Sequence, residues 1–174
     1  PTRRSSELAV IRRVAGAAED LGWEAPSDIH LDAQVHGPRM TVNFWIPLES
    51  CGRNRPTLRL VPMGYRAARG FVGFSPMNRR PHEEFFSGHF RSDAGEELRL
   101  RAMLGDDYFI DPVMDTGDLV MLSNWTLHGG CRSRDMRFGL VAAELRFGCD
   151  GLNQRIETAT MILRGARSRT ADHE

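Results

Sequence analysis

The stretch Ile29-His30-Leu31-Asp32-Ala33-Gln34-Val35-His36 alternates strictly between apolar and polar residues. On an extended chain this places His30, Asp32, Gln34 and His36 on one face and Ile29, Leu31, Ala33 and Val35 on the other. His-x-Asp then presents an imidazole and a carboxylate side by side, within reach of one cation. A third ligand is available far along the chain in Thr126-Leu127-His128. Two histidines and one carboxylate on a facial triangle leave coordination positions open, which suits non-haem Fe(II), an ion that must hold a co-substrate and O2 together. On a solvent-facing strand the same His-x-Asp would be ordinary polar surface. The surroundings must decide.

Those surroundings are mostly extended. Period-two patterning predicts strands over residues 29–36, 40–48, 58–62, 118–125, 138–147 and 154–163. Residues 5–21 read as a helix, with Leu8, Ile11, Val14, Ala18 and Leu21 on one face, Ser5 or Ser6 as cap, and Gly22 and Pro26 as its end. Helical patches are expected at 82–86 and 94–104, inside a 63–112 segment that reads as an insertion between core strands. Many short strands behind one helix give a mostly β fold with flanking helices, a β-sandwich or jelly-roll barrel.

Composition narrows the chemistry. The chain has 174 residues, fitting one domain, and its charges cancel to a net of zero. No polyanion-binding surface follows, so no nucleic-acid partner is expected. All 23 basic residues are arginine. Without lysine, Schiff-base chemistry, pyridoxal phosphate anchoring and a phosphate-loop lysine are excluded. Cys51, Cys131 and Cys149 are scattered and odd in number, which reads as reduced thiols in a cytoplasmic protein. No apolar run approaches ~18 residues, so no membrane association is expected, and no signal peptide is visible.

The segments His30-Leu31-Asp32, Thr41-Val42-Asn43-Phe44-Trp45-Ile46-Pro47-Leu48-Glu49, Cys51-Gly52 and Leu58-Arg59-Leu60-Val61-Pro62 are followed in order by Gly117-Asp118-Leu119-Val120-Met121-Leu122, Leu127-His128-Gly129-Gly130 and Arg137. This combination resembles the phytanoyl-CoA dioxygenase-like family over roughly residues 28–147, with the 63–112 insertion unmatched. The resemblance implies a double-stranded β-helix (a cupin-like jelly roll) and an Fe(II)- and 2-oxoglutarate-dependent dioxygenase. Its reactants would be O2 and a small organic substrate, and succinate and CO2 would be released. It implies His30, Asp32 and His128 as iron ligands. The retained Asp32 favours hydroxylation, since related halogenases carry a small residue there.

The resemblance also assigns an arginine after the distal histidine to the far carboxylate of 2-oxoglutarate. Arg137, at the start of a predicted strand whose alternate positions Gly139, Val141 and Ala143 are small, is the first choice. Arg132 and Arg134 are its rivals in a loop, and Thr41 and Asn43 are candidates for neutral hydrogen bonds to the same group. His36 reads as a rim residue, His82 and His89 as surface, and the aspartates between 106 and 118 as turn formers. Cys131 falls near the expected metal and reads as oxidation-prone. Family members carry more chain ahead of the first ligand, so the sequence reads either as a minimal domain or as one lacking N-terminal elements. Two alternatives stand beside the oxygenase: a non-catalytic jelly-roll binding protein for a small ligand, and a metal-dependent cupin-like enzyme that does not use 2-oxoglutarate. Neither substrate identity nor oligomeric state is legible.

Overall fold

The computed structural model describes residues 8–16, 29–36, 41–62, 94–148 and 160–164. Seven strands are built from them: β1 (Leu8–Val14), β2 (Thr41–Pro47), β3 (Thr57–Val61), β4 (Leu119–Ser123), β5 (Leu127–Cys131), β6 (Leu140–Gly148) and β7 (Thr160–Leu163). Two helices, α1 (Ala33–His36) and α2 (Ala94–Leu104), and a 3-10 turn at Asp106–Tyr108 complete them. The larger sheet runs β1-β6-β2-β4-β7 and the smaller pairs β3 with β5. Every pairing is antiparallel. Single bridges widen the small sheet on both sides, His30 to His128 beyond β5 and Ile110 to Leu60 beyond β3.

Alternation along the strands sorts the core into two layers. Trp45, Val120, Leu122, Leu140 and Ala142 of the large sheet meet Leu60 of the small one in a single buried cluster. Val61 and Leu127, one residue out of phase with Leu60 and His128, face the other way. They join Ile29, Leu31, Ala33 and Leu100 of α2. The small sheet is thus covered by the large sheet on one face and by α2 on the other. That is a jelly roll.

α2 is tied down by charge as well as by Leu100. Arg101 reaches Glu97 one turn earlier at 3.0 Å and Asp106 at 2.9 Å, and its guanidinium lies 4.0 Å from the centre of the Phe109 ring. Gly105, at a φ of 86°, ends the helix. The part of the 63–112 segment that can be described is therefore built onto the core. Among the described residues, no helix is long and apolar enough to cross a membrane.

Two sequence-based elements are corrected. Within the expected 5–21 helix, Leu8–Val14 is an edge strand paired with β6 from Leu8↔Arg146 to Val14↔Leu140; residues 5–7 and 17–21 lie outside the described part. Leu8, Ile11 and Val14 fit a helical stripe, but Val10, Ile11 and Val14 are β-branched and β6 offers an open edge, so tertiary pairing overrides the periodicity. Residues 29–36 are not one strand either. His30 makes a single bridge, Asp32 sits in a turn, and Ala33–His36 is a helical turn. The two-face alternation nevertheless holds at its start, where Ile29, Leu31 and Ala33 enter the α2-side core and His30 and Asp32 face the other way. The expected 154–159 and 82–86 segments lie outside the described residues.

Candidate metal centre

His30 and His128 are hydrogen-bonded to each other through their backbones, His30 N donating to His128 O at 2.8 Å and His128 N to His30 O at 3.1 Å. Their rings therefore stand 4.5 Å apart, centre to centre. Just past this bridge the chain turns. Leu31 N donates to Gln34 Oε1 and Gln34 N to Leu31 O, and the turn carries the Asp32 carboxylate back towards both imidazoles. Asp32 Oδ1 lies 3.6 Å from His30 Nε2 and 3.7 Å from His128 Nε2. One ligand atom from each residue falls within 4.8 Å of the others, and all three residues are buried.

The donor set fits a divalent cation. His128 Nδ1 meets Thr126 O at 2.8 Å. A carbonyl only accepts, so Nδ1 carries the proton and Nε2 keeps its lone pair for the metal side. Burial pushes the His128 pKa down against the pull of Asp32, favouring the neutral, ligating imidazole. Burial works against the charge on Asp32, but Arg146, His128 and His30 outweigh it and hold the carboxyl well below its ordinary range. Asp32 Oδ1, facing both imidazoles, accepts no hydrogen bond among the described residues. A cation would satisfy it.

Asn43 and Thr41 lie two apart on β2, and Asn43 reaches this triangle. Asn43 Nδ2 donates to Asp32 Oδ2, which leaves Oδ1 turned to the histidines. The Thr41 hydroxyl and the Asn43 side-chain oxygen Oδ1 are buried without a hydrogen bond among the described residues. Asn124 ties the pieces together and went unnoticed in the sequence. Its carbonyl accepts from Ala33 N at 2.9 Å, its side-chain oxygen from Thr41 N at 3.3 Å, and its own N–H donates to Thr41 O at 3.1 Å. One buried amide residue thus fixes the Asp32 turn, the start of β2 and the loop leading into His128.

These contacts rest on a scaffold with known relatives in structure. The chain is similar to the crystal structure of EctD from S. alaskensis in its apoform, with a TM-score of 0.53 and 11% identity over 81% of this chain and 43% of that one. It is similar to EvdO2 from Micromonospora carbonacea var. aurantiaca, at 0.52 and 13% over 90% of this chain and 54% of that one, a protein also crystallised in complex with 2-oxoglutarate. The likeness lies in the fold, the cupin-like jelly roll. The chain spans about half the length of these structures. No family model matches it, and no curated protein does.

Arg137 falls differently from expectation. Arg137 is exposed in the loop ahead of β6, and Arg132 and Arg134 are exposed in the same loop. The inward face of β6 is the even-numbered one, Leu140, Ala142, Glu144 and Arg146, rather than the Gly139, Val141 and Ala143 set. A one-residue difference in phase exchanges the faces of a strand. The guanidinium that faces the triangle is Arg146, 3.7 Å from Asp32 Oδ1 and 5% exposed. No local pattern in the sequence signals it, because the inward face of β6 is set by its pairing with β1 and β2.

Cys131 also turns away from the metal side. Three residues beyond His128, it sits on the opposite face, where its thiol donates to Asp111 at 3.1 Å and accepts from Arg59 at 3.2 Å. Burial and that bond to Asp111 push the thiol up to about 11. It is therefore a poor nucleophile at neutral pH rather than an oxidation-prone one. Alkylation of Cys131 by iodoacetamide at pH 8, followed by peptide mass spectrometry, is expected to be on the order of a hundredfold slower than for free cysteine. Labelling at the free-thiol rate would contradict this environment. Cys149, His82 and His89 lie outside the described residues, as does the side chain of His36.

Proposed function

We propose that the protein is an Fe(II)- and 2-oxoglutarate-dependent dioxygenase that hydroxylates a small organic molecule, with His30, Asp32 and His128 as the metal ligands. One observation carries the reading: three buried donors converge on a point while the far nitrogen of His128 is committed to a backbone carbonyl. Iron with a bound 2-oxo acid supplies O2 activation coupled to loss of CO2 from that acid. The chain's own groups prepare for it. The two imidazoles each offer a ring nitrogen, Asp32 offers a fixed charge, and Asn43 holds the outer oxygen of that carboxylate. The Thr41 hydroxyl is buried without a hydrogen bond among the described residues and is left to bond a ligand. The 2-oxoglutarate complex of EvdO2, on the same fold, supports the choice of co-substrate.

Anaerobic addition of Fe(II) and then 2-oxoglutarate tests the proposal. A weak visible charge-transfer band that saturates with 2-oxoglutarate is the expected result, and iron uptake with no such band would favour the cupin-like alternative. The same titration examines Arg137. An exposed loop arginine competes poorly with water for a carboxylate, so Arg137→Ala is expected to change 2-oxoglutarate affinity by less than about threefold. A loss of about a hundredfold, the size of a desolvated charge-assisted pair, would return Arg137 to the pocket.

A further inference from the structure

Three charged side chains line the barrel wall behind the triangle. Glu144 and Arg146 are two apart on the inward face of β6, and Arg12 stands on the inward face of the neighbouring β1. Arg12 Nε donates to Glu144 Oε2 at 3.0 Å, Arg146 donates to Glu144 Oε1, and Arg146 Nη2 then lies 3.7 Å from Asp32 Oδ1. Asn43, directly across the ladder from Arg146, holds the other oxygen of Asp32. At 3.7 Å the guanidinium is too far to bond Oδ1 but close enough to act on it through charge. A metal between the histidines would meet that same oxygen from the other side.

We infer that the Arg12–Glu144–Arg146 triplet is a charge regulator of the metal centre, with Arg146 the positioning residue that acts through Asp32. The inference rests on the metal reading above. Without metal, Arg146 offsets a carboxylate that is otherwise fully removed from water. Once a dication arrives, the same guanidinium opposes it, and Glu144 moderates that opposition by holding part of the Arg146 charge. The triplet, two guanidinia and one carboxylate, carries one net positive charge. It therefore keeps the bare site a modest binder of cations and favours metal that arrives with, or is followed by, an anionic ligand. The two substitutions that break the Arg146–Glu144 pair must then have opposite effects, because one removes positive and the other negative charge.

The test is Co(II) titration of the full chain without any oxo acid, read by visible absorption against a competing chelator, with circular dichroism as a check on folding. Arg146→Met is expected to tighten Co(II) binding and Glu144→Gln to weaken it, each on the order of tenfold. Arg146→Lys, which keeps the charge, should stay within about threefold of the native chain. A purely structural role for the pair would make both Arg146→Met and Glu144→Gln weaken binding, and that outcome, or unchanged affinity in both, overturns the inference. If Arg146→Met does not fold, Glu144→Gln and Arg146→Lys decide, and native affinity in Glu144→Gln overturns it. Absence of Co(II) binding in the native chain, or native binding in Asp32→Ala, would instead remove the metal reading and this inference with it.

Discussion

Asp32→Ala is expected to reduce divalent-metal affinity by well over a hundredfold while leaving the chain folded. Loss of an outer partner of a metal ligand commonly costs about 10–100-fold, and Asp32 is placed as a ligand. It supplies the sole negative charge among the three converging donors, so its removal takes away both a bond and the charge that draws the cation in. The fold should tolerate the change better than a typical broken buried ion pair, which costs about 3–5 kcal/mol through the stranded partner. The reason is that Arg146 remains paired with Glu144, and Asn43, an uncharged amide, is left without a hydrogen bond rather than with a stranded charge. The measurement is a Co(II) titration beside a metal-free thermal melt. Affinity within tenfold of the native chain would mean that the metal, if bound at all, is bound elsewhere.

Leu60→Ala is expected to cost about 2–5 kcal/mol, the range for truncating a fully buried leucine, and to lower the melting temperature by roughly 5–15 °C for a chain of this size. Leu60 has no exposed surface and packs between the sheets with Trp45, Val120, Leu122, Leu140 and Ala142. It also sits directly opposite His128 in the β3–β5 ladder and hydrogen-bonds through its backbone to Ile110 on its other side. A void there loosens the wall beside His128, a proposed metal ligand, so a modest fall in Co(II) affinity should accompany the loss of stability. Thermal denaturation of both forms decides. A shift under about 2 °C would show that neighbouring side chains close the gap, contrary to a tightly packed seam between the sheets.

What the sequence disclosed and what it hid divide along physical lines. The period-two pattern exposed β2, β3, β4 and β6 because each has one face on a core, and it put His30 and Asp32 on the face opposite Ile29 and Leu31 even though that segment is not a strand. The pattern failed at Leu8–Val14, where apolar residues three apart satisfy a helix and an edge strand equally and the choice belongs to the partner β6. The convergence of His30, Asp32 and His128 was legible because their residue types are specific. Arg146 was not, because which face of β6 turns inward is set by pairing with β1 and β2, and no local pattern carries that information. Asn124 was hidden for a related reason. Its bonds are to backbone atoms of segments distant in sequence.

The backbone bridge between His30 and His128 bears on the order of events in folding. Two of the three proposed ligands are neighbours only because the chain has closed a very long loop, and β1 and β2 both depend on β6, far along the sequence. Pairings of such high sequence separation form slowly and late, since loop-closure entropy must be overcome before any contact rewards it. A nascent chain therefore cannot assemble the site while β5 and β6 are still unsynthesised, and an ion held by the proposed ligands could not serve as a nucleus around which the chain collapses. On the proposed metal reading, capture is a step that follows folding, and a protein refolded in chelator should recover its native strands before it binds added Co(II).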